Sequence, residues 1–170
     1  SIASSKSAEG DSGAMAQVDT IVAAVGFDQD GKVASVTIDN AQTRVNYDKD
    51  GTMTSDPAAE LQTKVELGDA YKMKDNSSIK KEWYEQIAEL EKWMVGKSVD
   101  EIKNMKTKEI DSGHPAVPDD PELTSLVTIS VQDYIAVVAE AWEKAVDVES
   151  ADKVGLGINI SIAKSKGADA

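Results

Sequence analysis

The chain has 170 residues, 41% of them hydrophobic, which is enough for one domain with an apolar core and no need of disulfides. Eighteen basic residues stand against 31 acidic ones, a net charge of -13 with no basic stripe, which argues against nucleic acid as a partner and against a polybasic membrane patch. Cysteine is absent, which excludes disulfides, thiolate catalysis and thiolate metal sites.

No apolar run approaches the roughly 20 residues of a membrane helix, and no charged-then-apolar leader opens the chain. Because it begins with Ser1 rather than Met, the sequence reads as a mature or truncated form. Residues 1–13, rich in Ser, Ala, Gly and charge, read as a flexible tether suited to a protein held to a membrane by its N-terminus, although an ordinary frayed end has the same composition. A folded domain is expected over residues 14–170.

Gln17 to Phe27 is apolar on both faces, as in a central strand buried between two layers. Val33 to Asp39 alternates, and Asp28-Gln29-Asp30-Gly31 between the two runs is hairpin-turn chemistry. A third extended piece, Gln42 to Tyr47, ends in a second turn, Asp48-Lys49-Asp50-Gly51, completing an antiparallel meander. These Asp-x-Asp-Gly turns invite a calcium reading. An EF-hand loop, however, needs oxygen ligands in a longer register with a closing Glu, so plain turns are expected and no metal is assigned.

Asp56 to Lys74 is ambiguous between helix and loop. Ile79, Trp83, Ile87, Leu90 and Met94 recur at spacings of three and four, which predicts an amphipathic surface helix with Gly96 at its C-cap. Ser98 and Glu101 form a capping box for a short second helix with an apolar stripe of Val99, Ile102 and Met105. Residues 111–121 read as loop, with three prolines and the single histidine, His114. One histidine without a hydroxyl, thiol or carboxylate at motif spacing reads as an exposed loop residue rather than a catalyst.

The segment Thr124-Ser125-Leu126-Val127-Thr128-Ile129-Ser130 precedes a helix whose stripe is Val131, Tyr134, Ile135, Val138, Trp142, Ala145 and Val146, with Ser130 as N-cap and Asp133 three residues on. Hydroxyls crowded at a helix N-terminus suit an anion such as a phosphate, because free backbone N–H groups and the helix dipole point there. A strand end running into a well-capped helix would select the same residue types. The alternation from Val154 to Ala163 predicts a half-buried C-terminal antiparallel strand. The order of elements gives an α+β fold, an antiparallel β-meander sheet with helices packed on one face. Trp83 and Trp142 fall on apolar stripes and read as core, while Trp93 lies beside its stripe and reads as partly exposed. No acid pair, Ser/His/Asp set or Gly-rich loop stands out, so no hydrolase or transferase site is expected.

The run Ala16 to Tyr47, with its Asp-x-Asp-Gly-Lys turn, Val-x-x-Val-x-Ile strand and Thr43, resembles the N-terminal half of the bacterial FMN-binding domain. That domain occurs in exported lipoproteins and in the flavin-carrying subunits of membrane electron-transfer complexes. Its signature is Ser-Gly-Ala-Thr, a residue, then Ser or Thr, and a flavin transferase can esterify the FMN phosphate to the threonine. Ser125, Thr128 and Ser130 match, whereas Leu126 and Val127 replace Gly and Ala, adding bulk where a backbone would approach a phosphate. By order of elements the resemblance runs from about Ala16 to Val146, and Gly96 to Glu101 with Glu82-Trp83-Tyr84 looks like a clostridial lipoprotein subgroup with this domain. The literal Ser12-Gly13-Ala14 is followed by Met15 and a strand, and reads as tether.

The resemblance implies an electron carrier rather than a stand-alone enzyme. FMN would be bound near Thr128, covalently or not, with Ser125, Ser130 and Thr124 assisting. It also implies a lipid anchor outside this chain, a position on the extracellular face of the membrane, and membrane electron-transfer components as partners. The alternative is a flavin-free extracellular binding or scaffold domain of the same fold, which Leu126 and Val127 favour.

Overall fold

The computed structural model describes residues 2–9, 11–148 and 155–167, the side chains of 2–4 excepted. The fold is α+β: a three-stranded antiparallel sheet of order β1-β2-β3, a small second sheet and four helices. The strands are β1 (Ile2–Lys6), β2 (Met15–Phe27), β3 (Val33–Asn46), β4 (Thr107–Lys108) and β5 (Val117–Pro118), and the helices α1 (Lys64–Leu67), α2 (Trp83–Met94), α3 (Val99–Lys103) and α4 (Gln132–Glu143).

Both Asp turns form as hairpin turns, by one device used twice. Asp28 Oδ1 accepts the N–H groups of Asp30 (2.9 Å) and Lys32 (2.8 Å), and Asp48 Oδ1 those of Asp50 (2.9 Å) and Thr52 (2.8 Å). In each a glycine supplies the positive φ, +74° at Gly31 and +86° at Gly51. The two extended pieces expected after the first turn are instead one 14-residue strand, β3, since nothing at Asn40-Ala41 breaks the extended backbone. β2 is central in strand order but only half-buried along most of its length, not sandwiched between two layers.

The chain divides into two compact units. The first comprises Ser1–Thr20, Asn40–Glu66 and Gly157–Ala170. Within it Ile2–Lys6, expected as tether, is a strand paired antiparallel to β2 with Lys6 opposite Met15. The glycine of the Ser12-Gly13-Ala14 decoy has a packing reason: a Cβ on Gly13 would lie 2.0 Å from the Tyr47 carbonyl oxygen. Arg44 Nε donates to Gln17 Oε1 at 2.6 Å, and Thr63 and Glu66 cap each other's N–H groups at 2.8 and 3.2 Å. Residues 155–162 form no strand, and Val154 lies outside the described residues. The predicted alternation survives in part: Ile158 and Ile160 are half-buried and Ile162 buried, between exposed Gly157, Asn159 and Ser161. Two glycines so close together weaken an extended ladder.

The second unit, Ile21–Asp39 with Leu67–Leu156, holds the larger core. Trp83, Gln86, Ile87, Leu90, Trp93 and Met94 form the buried face of α2, at helical spacing. They pack with Val33 and Ile38 of β3, Ile102 of α3, and Leu123, Val127, Val131, Tyr134 and Val138. Each large apolar side chain so buried contributes about 1.5–3 kcal/mol. The predicted start of α2 at Ile79 moves to Trp83; the Glu82 N–H donates to Glu85 at 2.7 Å just before the first turn. Gly96 ends the helix at φ +80°, its N–H donating to the Val33 carbonyl at 2.8 Å. Glu91 reaches from α2 to accept the Ile38 N–H at 2.6 Å, and burial pushes its carboxyl above the usual range against the pull of that bond. The capping box of α3 forms as expected, and the Ser98 N–H and hydroxyl hold the Glu101 carboxyl below its ordinary value.

The tryptophans reverse two expectations. Trp93 is buried, 8% exposed, beneath the Lys97 ammonium 4.4 Å from its ring centroid. Trp142 is 44% exposed because α4 ends at Glu143, so Ala145 and Val146 are also outside the helix and Val146 is 80% exposed. Trp142 still packs edge-on against Phe27, ring centroids 4.8 Å apart, and covers the first turn: a Cβ on Gly31 would meet its Cη2 at 3.1 Å. Gly31→Ala therefore forces a side chain into the left-handed region and displaces the indole, with an expected cost of about 1–2 kcal/mol. A fall in urea midpoint at unchanged slope is the readout.

Candidate functional site

The candidate site begins with Gln86, a polar side chain with no exposure at all, on the inner face of α2. A buried amide must spend its hydrogen bonds inside the protein, and Gln86 spends them on two segments far apart in sequence. Its Oε1 accepts the Thr128 N–H at 2.8 Å and the Thr128 hydroxyl at 3.3 Å. Its Nε2 donates to Ser77 Oγ and to the Lys81 carbonyl, each at 3.3 Å. One residue thus fixes Thr128 and Ser77 together. Nearby, the buried Glu82 carboxylate accepts the N–H groups of Met73 (2.8 Å) and Lys74 (3.2 Å), fastening the start of the same turn.

Thr128 and Ser77 border a cavity of about 350 Å³. The 73–78 turn contributes Met73, Asn76 and Ser78, and Ile129 follows Thr128. The remaining wall is the 110–114 loop, with Ile110, Asp111 and His114. His114 Nδ1 lies 2.9 and 3.1 Å from the two Asp111 carboxylate oxygens. That hydrogen bond, helped by the Gly113 N–H, holds the Asp111 carboxyl below the usual carboxylate range. Because the folded-state value is depressed, the contact favours the folded loop above the ordinary Asp range and is lost as acid protonates Asp111.

The chemistry of the cavity follows from who donates to whom. The Thr128 hydroxyl donates to Gln86, so it faces the cavity as an acceptor or nucleophilic oxygen. Ser77 accepts from Gln86, which leaves its own proton to give. Ser78 and the Asn76 amide add donors for a small oxyanion, and the His114 imidazole adds one when it is protonated, beside the apolar surface of Met73, Ile110 and Ile129. The volume and the mixed lining are those of a small-molecule site.

The four hydroxyls expected around one helix N-terminus do not converge. Residues 121–126 form turns, in which the Thr124 hydroxyl donates to the Asp120 carbonyl at 2.7 Å, and both Thr124 and Ser125 are exposed. Ser130 is not the N-cap of α4. Val131 holds that position without a side-chain cap, and the Ser130 hydroxyl accepts the Ala116 N–H at 3.3 Å. The Val131 N–H in turn donates to the Ala116 carbonyl at 3.0 Å, so Ser130 and Val131 are committed to clamping the loop at Ala116. Of the four, Thr128 alone lines this cavity. His114 is the exposed loop residue expected from the sequence, and Asp111, Ser77, Ser78 and Asn76 were not singled out there. Asp111 and His114 three residues apart in one loop were a usable signal, whereas nothing local linked them to Thr128.

A second, larger groove of about 630 Å³ runs where α3 packs against α4, with Met105, Ile135, Ala136 and Ala139 between Lys103 and the carboxylates Glu140 and Glu143. Glu140 is already paired with Lys144, which holds its carboxyl low. Among the described residues no His, Asp and Glu side chains cluster closely enough to hold a metal ion, and no helix is long and apolar enough to cross a membrane. Comparison with protein-family models, with curated proteins and with solved structures yields no match to this chain.

Proposed function

We propose that the chain is an FMN-holding electron carrier that takes the flavin in the Thr128 cavity. The observation that carries this reading is that Thr128, which resembles the flavin-accepting threonine of the FMN-binding domain, borders a cavity whose donors suit a phosphate ester. Asn76, Ser77, Ser78 and His114 would hold the phosphate. Met73, Ile110 and Ile129 offer apolar contact to the ring system, and the Thr128 oxygen is the hydroxyl available for esterification. When bound, the flavin supplies reversible electron acceptance. The chain's own task is to bind it, fix its orientation through Gln86 and Asp111, and limit water on the buried side. By the same resemblance the carrier works on the extracellular face of the membrane, lipid-anchored, between membrane electron-transfer components. Ser125, Thr124 and Ser130 do not line this cavity.

A flavin-free binding or scaffold domain is the second reading, favoured by Val127, which replaces the motif alanine and is wholly buried in the core rather than lining a cradle. Purification from a host coexpressing a flavin transferase separates the two. The flavin reading expects a yellow protein whose intact mass is raised by FMN less water. Thr128→Val is expected to lose that added mass while melting within about 1 kcal/mol of the parent, since it keeps the volume and loses one hydroxyl hydrogen bond. A colourless protein of unmodified mass that takes up no free FMN contradicts the flavin reading and supports the second.

A further inference from the structure

His114 faces the Thr128 cavity with its two ring nitrogens in different situations. Nδ1 is held by Asp111 at 2.9 Å, and the hold is part of the loop itself. The Gly113 N–H donates to Asp111 Oδ1 at 2.8 Å, the His114 N–H to the Asp111 carbonyl at 2.9 Å, and the Ile110 N–H to the His114 carbonyl at 3.0 Å. A carboxylate on Nδ1 keeps a proton there, so Nε2 is the nitrogen that changes: a lone pair when the ring is neutral, an N–H donor when it is charged.

The residues that line the cavity carry few charges. The 73–78 wall contributes Met73, Asn76, Ser77 and Ser78 and the other wall Thr128 and Ile129, none of which ionises near neutrality. Asp111 is the other titratable group lining it, and it touches His114 directly. With a neutral imidazole the lining of the cavity carries the Asp111 carboxylate as its one charge, in a chain of net charge -13, which disfavours an anion. With the imidazolium that charge is balanced and a charge-assisted donor is added.

We propose that His114, oriented by Asp111, is the residue that recognises a phosphate ester in this cavity and makes its capture pH-dependent, tight when His114 is protonated and weak when it is neutral. The identity of that ester as FMN rests on the function proposed above; recognition of the phosphate through His114 does not.

His114 is the single histidine, so its ring signals in an NMR spectrum of the intact chain need no assignment. Titrations with FMN, riboflavin and phenyl phosphate, at about pH 5.5 and about pH 8, test the inference. The expected result is that FMN and phenyl phosphate shift the His114 ring signals and bind on the order of tenfold tighter at the lower pH, the gain of one charged hydrogen bond. Riboflavin, lacking the phosphate, gains nothing, and His114→Asn loses the pH dependence in excess of what the phosphate's own second ionisation, at about pH 6, imposes on parent and variant alike. FMN binding that matches riboflavin and is flat with pH overturns the inference and leaves the flavin reading standing. Phenyl phosphate binding with the expected pH profile but no flavin binding supports the inference and removes the flavin reading. Absence of binding by all three overturns both.

Discussion

Replacing Gln86 with Leu is expected to destabilise the protein by about 3 kcal/mol, even though leucine is apolar, similar in size and placed in a core that excludes water. The reason is what the amide leaves behind. The Thr128 N–H, at 2.8 Å from Gln86 Oε1, and the Lys81 carbonyl, at 3.3 Å from Nε2, lose their partners in a part-buried setting. Each orphaned group costs about 1–3 kcal/mol, more than the added apolar burial returns. On the function proposed above the effect on binding is larger in proportion, because Thr128 and Ser77 lie on different walls of the cavity and Gln86 is what both hold. Ligand affinity is therefore expected to fall at least about tenfold. Urea unfolding checks the first part and FMN titration of the folded variant the second. A variant as stable as the parent would mean that Gln86 merely fills space.

The second large effect is at Trp83. The indole is 2% exposed, and its Nε1 donates to the Tyr134 hydroxyl at 3.1 Å, with the rings edge-on at 5.8 Å. It couples α2 to α4 through packing and one buried hydrogen bond. Trp83→Ala is expected to cost about 3–5 kcal/mol, since it opens a cavity bounded by helices that cannot collapse fully. Trp83→Phe keeps most of the packing and loses the donor, so about 1–2 kcal/mol separates it from the parent. Thermal and urea unfolding give both values. Equal losses for the two variants would show that the hydrogen bond, not the packing, joins the helices.

The parts of this fold that were legible in the sequence are those decided within a few residues. An Asp two residues before another Asp and three before a Gly makes the same hairpin turn at both places in this chain, because the carboxylate bonds the backbone two and four residues on. Ser98 and Glu101 specify a capping box in the same local way. The α2 stripe was legible because period alone reports its buried face. What escaped was decided by distant partners. Ser130 has the residue type and position of an N-cap, but Ala116 claims its hydroxyl across the loop. Trp93 and Trp142 exchanged expected environments because Lys97 covers one ring and the other lies at the frayed end of α4. The candidate site was the least legible of all. The bond from Thr128 to Gln86 spans 42 residues, and Gln86 looks in sequence like any polar position on a surface helix.

The most direct test of the central claim, that the cavity at Thr128 and His114 takes FMN, is a backbone amide NMR map of the intact chain as FMN is added. The expected result is a set of shifts confined to Met73–Ser78, Ile110–His114 and Thr128–Ile129. Shifts centred instead on the groove between Lys103 and Glu143, or none at saturating FMN, would contradict it.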